Sequence, residues 1–150
     1  MAKIKKKPPP KIKDNLLTKK DELDEAKENF KVSFEHLDTS QKYGSSFRDW
    51  QKVGLLSTMM ETLRGYCCSP LLEQKDGQKF AIYGDFPSDS SLFEEPRHTP
   101  PDALWARIHI NNKSIVAGHI VRSTFYVVFL DKTHKFYMTK NTKERYKSKK

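Results

Sequence analysis

An α+β fold is what this sequence predicts: a mostly antiparallel sheet with a C-terminal three-strand meander, covered on one face by an amphipathic helix. Three observations carry the reading. Apolar residues recur at intervals of three or four from Phe47 to Cys67. Strand-like runs stand on either side of that stripe, at Phe30–Leu37 and Lys79–Phe86. Three further apolar runs follow, joined by connections too short for anything but antiparallel hairpins. At 150 residues the chain is one domain, with enough length for a core but little to spare.

The elements follow in order. MAKIKKKPPPKIK opens the chain with three successive prolines and six lysines, which favour extended, self-repelling backbone, so residues 1–17 read as a disordered basic tail. The domain then spans 18–138. Thr18-Lys19-Lys20-Asp21 resembles a capping box, and Leu23, Ala26 and Phe30 follow at near-helical spacing, predicting a short charged helix to about Asn29. In FKVSFEHL, Phe30, Val32 and Phe34 alternate with Lys31, Ser33 and Glu35, the mark of a half-buried strand.

Ser46 starts the main helix, with Asp49 as its first-turn acid and Phe47, Trp50, Val53, Leu56, Met60, Leu63 and Cys67 as its apolar stripe. Gly54 marks a bend, and Ser69-Pro70 ends the helix. In KFAIYGDF, Phe80, Ile82 and Gly84 alternate against Ala81 and Tyr83. Residues 87–102 carry four prolines and no periodicity, so they form a long surface loop. The meander is Leu104–Ile110, Ile115–Val121 and Thr124–Leu130. Period two places Phe125, Val127 and Phe129 on one face of the last strand, towards Trp50, Leu56 and Met60. Tyr126, Val128 and Leu130 are as apolar, so that strand is buried on both sides. Residues 139–150 form a second basic tail.

Charge is unevenly spread. The formal net charge is +9, yet residues 1–20 hold eight lysines against Asp14. Residues 132–150 hold eight Lys and Arg against Glu144. The segment between them has twelve basic and seventeen acidic residues. A mildly acidic body with two basic ends is expected to meet polyanions through its ends. Cys67 and Cys68 are adjacent and read as reduced thiols of a cytoplasmic protein. No apolar run approaches a membrane span, and no signal peptide opens the chain.

Chemistry concentrates where FYVVFLDKTHKFY leaves its strand for a charged turn. The region ALWARIHINNKSIVAGHIVRSTFYVVFLDKTHKFY, Ala103–Tyr137, resembles the C-terminal half of the RelE/ParE toxin family. The likeness lies in an aromatic, an Arg-bearing strand, a tight turn, a second strand, a Val-rich strand and a basic turn ending in His or Tyr. The strand–helix opening over 30–67 is similar as well. The resemblance implies a metal-independent endoribonuclease that cleaves messenger RNA, with RNA and the ribosome as partners, an acidic protein as inhibitor, and no small-molecule cofactor.

It also implies roles. Tyr137 matches the terminal aromatic beside the scissile phosphate, with His134 and Lys135 in the basic turn before it. Arg107 is a candidate for the transition-state cation. Lys113, Lys132, Lys140, Lys143 and Arg145 are candidates for holding the RNA backbone. In-line attack by a ribose 2′-OH needs a base, an acid and a cation, which His, Tyr, Lys and Arg supply. The family's usual Arg at the start of the middle strand is Ser114 here, so Lys113 or Arg107 must replace its charge. The same departure fits an alternative: a non-catalytic module of the same fold that binds nucleic acid through its tails and a protein through its acidic body.

The remaining candidates read as structural. Asp131 caps the turn before His134. His109 and His119 alternate with apolar residues as sheet histidines on the open face or the helix side. Arg97-His98 is a solvated pair in the proline loop. The five histidines lack metal-ligand spacing, so no zinc site is expected, and there is no glycine-rich phosphate loop, GxSxG or cysteine nucleophile motif.

Overall fold

The structure, a computed structural model, describes residues 28–138. The two tails, with Lys140, Lys143 and Arg145, and nearly all of the helix expected before Phe30 lie outside the described residues. Within them an open sheet of six strands carries two helices: β1 (Lys31–Ser33), β2 (Gly44–Ser45), α1 (Phe47–Lys52), α2 (Leu55–Tyr66), β3 (Phe80–Gly84), β4 (Leu104–His109), β5 (Ile115–Val121) and β6 (Thr124–Asp131). The sheet order is β1-β6-β5-β4-β3, with β2 also on β6. The meander β4-β5-β6 is antiparallel throughout, as its short turns require. The β1 strand runs parallel to β6, with Val32 opposite Phe125. Together with β2 and the Asp38 N–H that donates to the Val128 carbonyl (2.8 Å), it occupies the outer edge of β6.

The expected single helix is two. Ser46 caps α1 through a reciprocal capping box with Asp49 (Asp49 N–H to Ser46 Oγ 3.1 Å, Ser46 N–H to Asp49 Oδ2 2.9 Å). Gly54 then takes a left-handed conformation, φ 77°, and restarts the chain as α2. That break changes the helical phase, so the predicted stripe fails at Val53 and Met60, whereas its Leu63 is in the core and its Leu56 and Cys67 pack against it. Trp50, Leu55, Met59 and Leu63 are buried, while Val53 is exposed and Met60 is 46% exposed. Leu56 packs at the margin of the core. Each fully buried side chain of this size contributes about 1.5–3 kcal/mol. Facing the helices, Phe30, Phe80 and Phe125 meet edge-on or stacked at 5.8–6.4 Å.

A second departure lies in β6. Gly118 opposes Val127, but Ala117 opposes Phe129, leaving Val128 as the extra residue of a bulge. Phe125 and Val127 face the helices, whereas Phe129 belongs with Phe93, Trp105 and Phe136 on the opposite face. The expectation that Phe125, Val127 and Phe129 share a face fails at this bulge. The opposite face is closed by the proline loop and by the segment after β6. Phe93 and Phe129 stack at 4.3 Å. Leu92 N–H donates to the Lys135 carbonyl (3.0 Å) and Met138 N–H to the Ser90 carbonyl (2.7 Å). The long loop is thus a lid on the second core, and it holds residues 135–138 in place.

Candidate functional site

Along β4, period two sends Trp105, Arg107 and His109 to the face away from the helices. Ala81 pairs with Arg107 across β3, which brings Tyr83 alongside. Arg107 Nε donates to the Tyr83 hydroxyl (2.9 Å), and Nη1 donates to the Gln78 carbonyl, with the Lys79 carbonyl at 3.5 Å. All three partners are uncharged, so the guanidinium charge is not cancelled by them.

The turn after β6 completes the site. Asp131 is fully buried and accepts the backbone N–H groups of Lys135 (2.9 Å) and Phe136 (2.7 Å). Burial pushes its carboxyl up to about 6 against the pull of those two donors. This clamp folds the chain back so tightly that His134 adopts φ 61°, a left-handed conformation costly for a residue with a Cβ. The His134 ring then lies 5.2 Å from that of His109. Tyr137 stacks on Tyr83 at 4.9 Å with 5° between the rings.

His109 Nδ1 is 3.2 Å from the Asn111 carbonyl. A carbonyl only accepts, so Nδ1 carries the proton and Nε2 of the neutral ring is left as the base. Burial first, then Arg107, lowers the His109 pKa, and His134 lowers it further; the Asn111 carbonyl opposes. Burial likewise lowers that of His134, with Arg107 and Lys135 adding to it and its own backbone carbonyl opposing. His109 also borders an open groove lined by Tyr66, Gln78, Lys79 and Asn112.

The structure therefore gathers Arg107, His134 and Tyr137, three of the four residues singled out for catalysis. Lys135, the fourth, is buried: it is 9% exposed, and its Nζ donates to the Thr133 carbonyl (3.4 Å). Phe136 is buried. Ser114 is buried and donates from Oγ to the Lys132 carbonyl (2.8 Å), tying the β4–β5 turn to the turn after β6. Lys113 and Lys132, both exposed, stand on those two joined turns at the site's end of the sheet. Two residues escaped the sequence reading. His109 was visible in the W-x-R-x-H spacing of β4 but read as a structural sheet histidine. Tyr83 had no signal of its own, since only strand register places it beside Arg107.

At the other end of this face lies a second histidine cluster. Trp105, His119 and Tyr126 form one cross-strand row, with ring centroids at 5.2 and 5.4 Å. His36 packs on His119, Tyr126 and His98 at 5.8, 5.1 and 5.3 Å. His119 lies on neither the helix side nor an open surface: it is 1% exposed under the loop cover, and its Nδ1 has no hydrogen-bond partner among the described residues. Burial, with His36 and His98 adding to it and Asp102 opposing, lowers its pKa to about 4.

The unfolded chain therefore takes up a proton at His119 below about pH 6.5 while the folded chain refuses it until about 4. Stability from this group is lost as the pH falls through that window. A His119→Phe variant is expected to gain on the wild type as pH drops from 6.5 to 4 in urea titrations, because it removes that linkage and the orphaned nitrogen. A constant difference across that range contradicts the buried neutral imidazole.

No family model, no curated protein and no solved structure matches the chain. Among the described residues no cluster of three or more His, Cys, Asp or Glu is arranged to hold a metal ion, and no helix is long and apolar enough to cross a membrane. Cys67 and Cys68 are both free thiols.

Proposed function

We propose that this protein is a metal-independent endoribonuclease, the activity that the resemblance to RelE/ParE toxins implies. Its acid/base chemistry lies at His134, which that resemblance names, and at His109, which it does not. One observation carries the reading: two neighbouring imidazoles, one with its tautomer set by a carbonyl, lie beside Arg107, whose hydrogen-bond partners are uncharged. In the reaction one imidazole takes the proton of a ribose 2′-OH as its oxygen bonds to the adjacent phosphorus. The P–O5′ bond breaks, and the other imidazole, protonated, gives its proton to the leaving 5′ oxygen. Arg107 meets the charge that grows on the phosphoryl oxygens. Lys113 and Lys132 hold the flanking backbone, with Lys140, Lys143 and Arg145 in the following tail of the sequence. An acidic inhibitor is the partner that this basic end of the sheet fits.

The test is incubation of the purified chain with single-stranded RNA in EDTA. The expected products end in 2′,3′-cyclic phosphate and 5′-OH, and a strand with 2′-deoxyribose is expected to resist. A buried serine stands where the resemblance calls for a surface arginine, which favours a second reading, the non-catalytic binding module. Tight, salt-dependent RNA binding without any cleavage decides for that module.

A further inference from the structure

Of residues 135–138, which follow the turn after β6, all but one are buried. Phe136 is fully buried against Phe86, Phe129 and Tyr83, and Met138 is buried with its N–H on the Ser90 carbonyl. Tyr137 between them is 44% exposed. Apolar burial does not explain an aromatic ring held outward by two fixed neighbours. Its only ring contact among the described residues is the parallel stack on Tyr83, which sets Tyr83 against one face of the ring. Tyr83 is itself fixed, packed on Phe136 and bonded through its hydroxyl to Arg107 Nε. Ring and guanidinium are thus one rigid unit: a flat aromatic surface beside a cation.

We infer that Tyr137, backed by Tyr83, is a stacking platform for an unpaired nucleobase, so that the site takes single-stranded RNA and rejects duplex. The inference rests on the RNA reading of this site and names which RNA it takes. An aromatic ring stacks on any base with a free π-face, and in a duplex both faces of a base are covered by its neighbours. A base on Tyr137 places its own backbone towards Arg107, while Lys113 and Lys132 at the same end of the sheet add sequence-independent attraction. The platform role belongs to the ring of Tyr137 and not to its hydroxyl, which separates it from the part the resemblance gives this residue.

The experiment uses the full chain and a fluorescein-labelled, fully 2′-O-methylated RNA strand that cannot be cleaved, alone and annealed to its complement. Fluorescence anisotropy is expected to show Tyr137→Ala binding the single strand at least about fivefold more weakly, the low end of what losing one stacked base costs. Tyr137→Phe is expected to bind it as the wild type does, and duplex binding is expected to stay the same in both variants. Equal losses for strand and duplex, no loss in Tyr137→Ala, or the same loss in Tyr137→Phe overturns the platform. Should Tyr137→Ala melt early, Tyr137→Trp keeps the surface and reports on it: its emission is expected to be quenched by the strand and not by the duplex, and unchanged emission overturns the proposal. A wild type that binds in this pattern yet cleaves no RNA leaves the platform standing and removes the ribonuclease. A wild type that cleaves RNA while Tyr137→Ala binds normally does the reverse.

Discussion

Alanine at His109 or at His134 is expected to lower RNA cleavage by about 10²–10⁴-fold each, the usual contribution of a positioned general acid or base. The double variant is expected to lose little beyond the worse of the two, because the pair acts as a unit. Both rings are half-buried on the surface of the sheet, so thermal stability should change by no more than about 1–2 kcal/mol. The pH profile supplies the sharper check. One imidazole must be neutral and its partner protonated, and burial and Arg107 lower both pKa values from 6.5. Cleavage should therefore peak on the acid side of 6.5 and fall as the pH rises and the proton donor is lost. Replacing Arg107 with Gln removes a charge that disfavours the imidazolium form, so it should move the profile upward as well as slow the reaction. Full activity in His109→Ala, or a rate that climbs steadily above neutral pH, assigns the chemistry elsewhere.

Gly118→Ala is expected to cost about 3 kcal/mol or more, since among the described glycines it is the one where an added methyl meets the closest contact. A Cβ at Gly118 would lie 1.9 Å from the Tyr126 carbonyl oxygen and 2.5 Å from Phe125 Cε1. The oxygen is main chain, so no rotamer change relieves the contact; β6 itself would have to move away from β5. That would undo the bulge which turns Phe129 towards Phe93 and Trp105, and with it the seat of the loop that holds residues 135–138. The urea midpoint is the measure, and a shift equivalent to less than about 1 kcal/mol would mean that the strands do not approach here as described. Because the site hangs on that loop, partial unfolding of this kind should also reduce cleavage without touching His109 or His134.

Much of the architecture could be read from the residues because it is decided locally. A serine followed three residues later by an aspartate completes a capping box through its own backbone, so α1 begins at Phe47, right after Ser46. Two- and four-residue connections admit only hairpins, so the β4-β5-β6 meander followed directly. The charged turn after β6 was legible for the same reason: Asp131 bonds to N–H groups four and five residues ahead. What period counting could not see were the two places where one residue resets the phase. Gly54 exchanges Val53 and Met60 for Leu55 and Met59 as core residues, and the Val128 bulge sends Phe129 to the other face.

The site divides along the same line. Its residue types and three of its five members were in the sequence: Arg107, His134 and Tyr137 were candidates from their strand, their turn and the likeness they carry. Which candidates meet was decided only by tertiary structure. Strand register sets Tyr83 against Arg107, and the Asp131 clamp swings His134 over His109, across 25 positions of chain. The same clamp turns Lys135 inward, although by sequence it was as good a cation as any. Composition and local spacing determine which groups a chain has and how each short segment folds, because those depend on neighbours in sequence. The distance between two groups on different strands depends on register, bulges and the loop that closes over them, and these are settled only when the whole sheet packs.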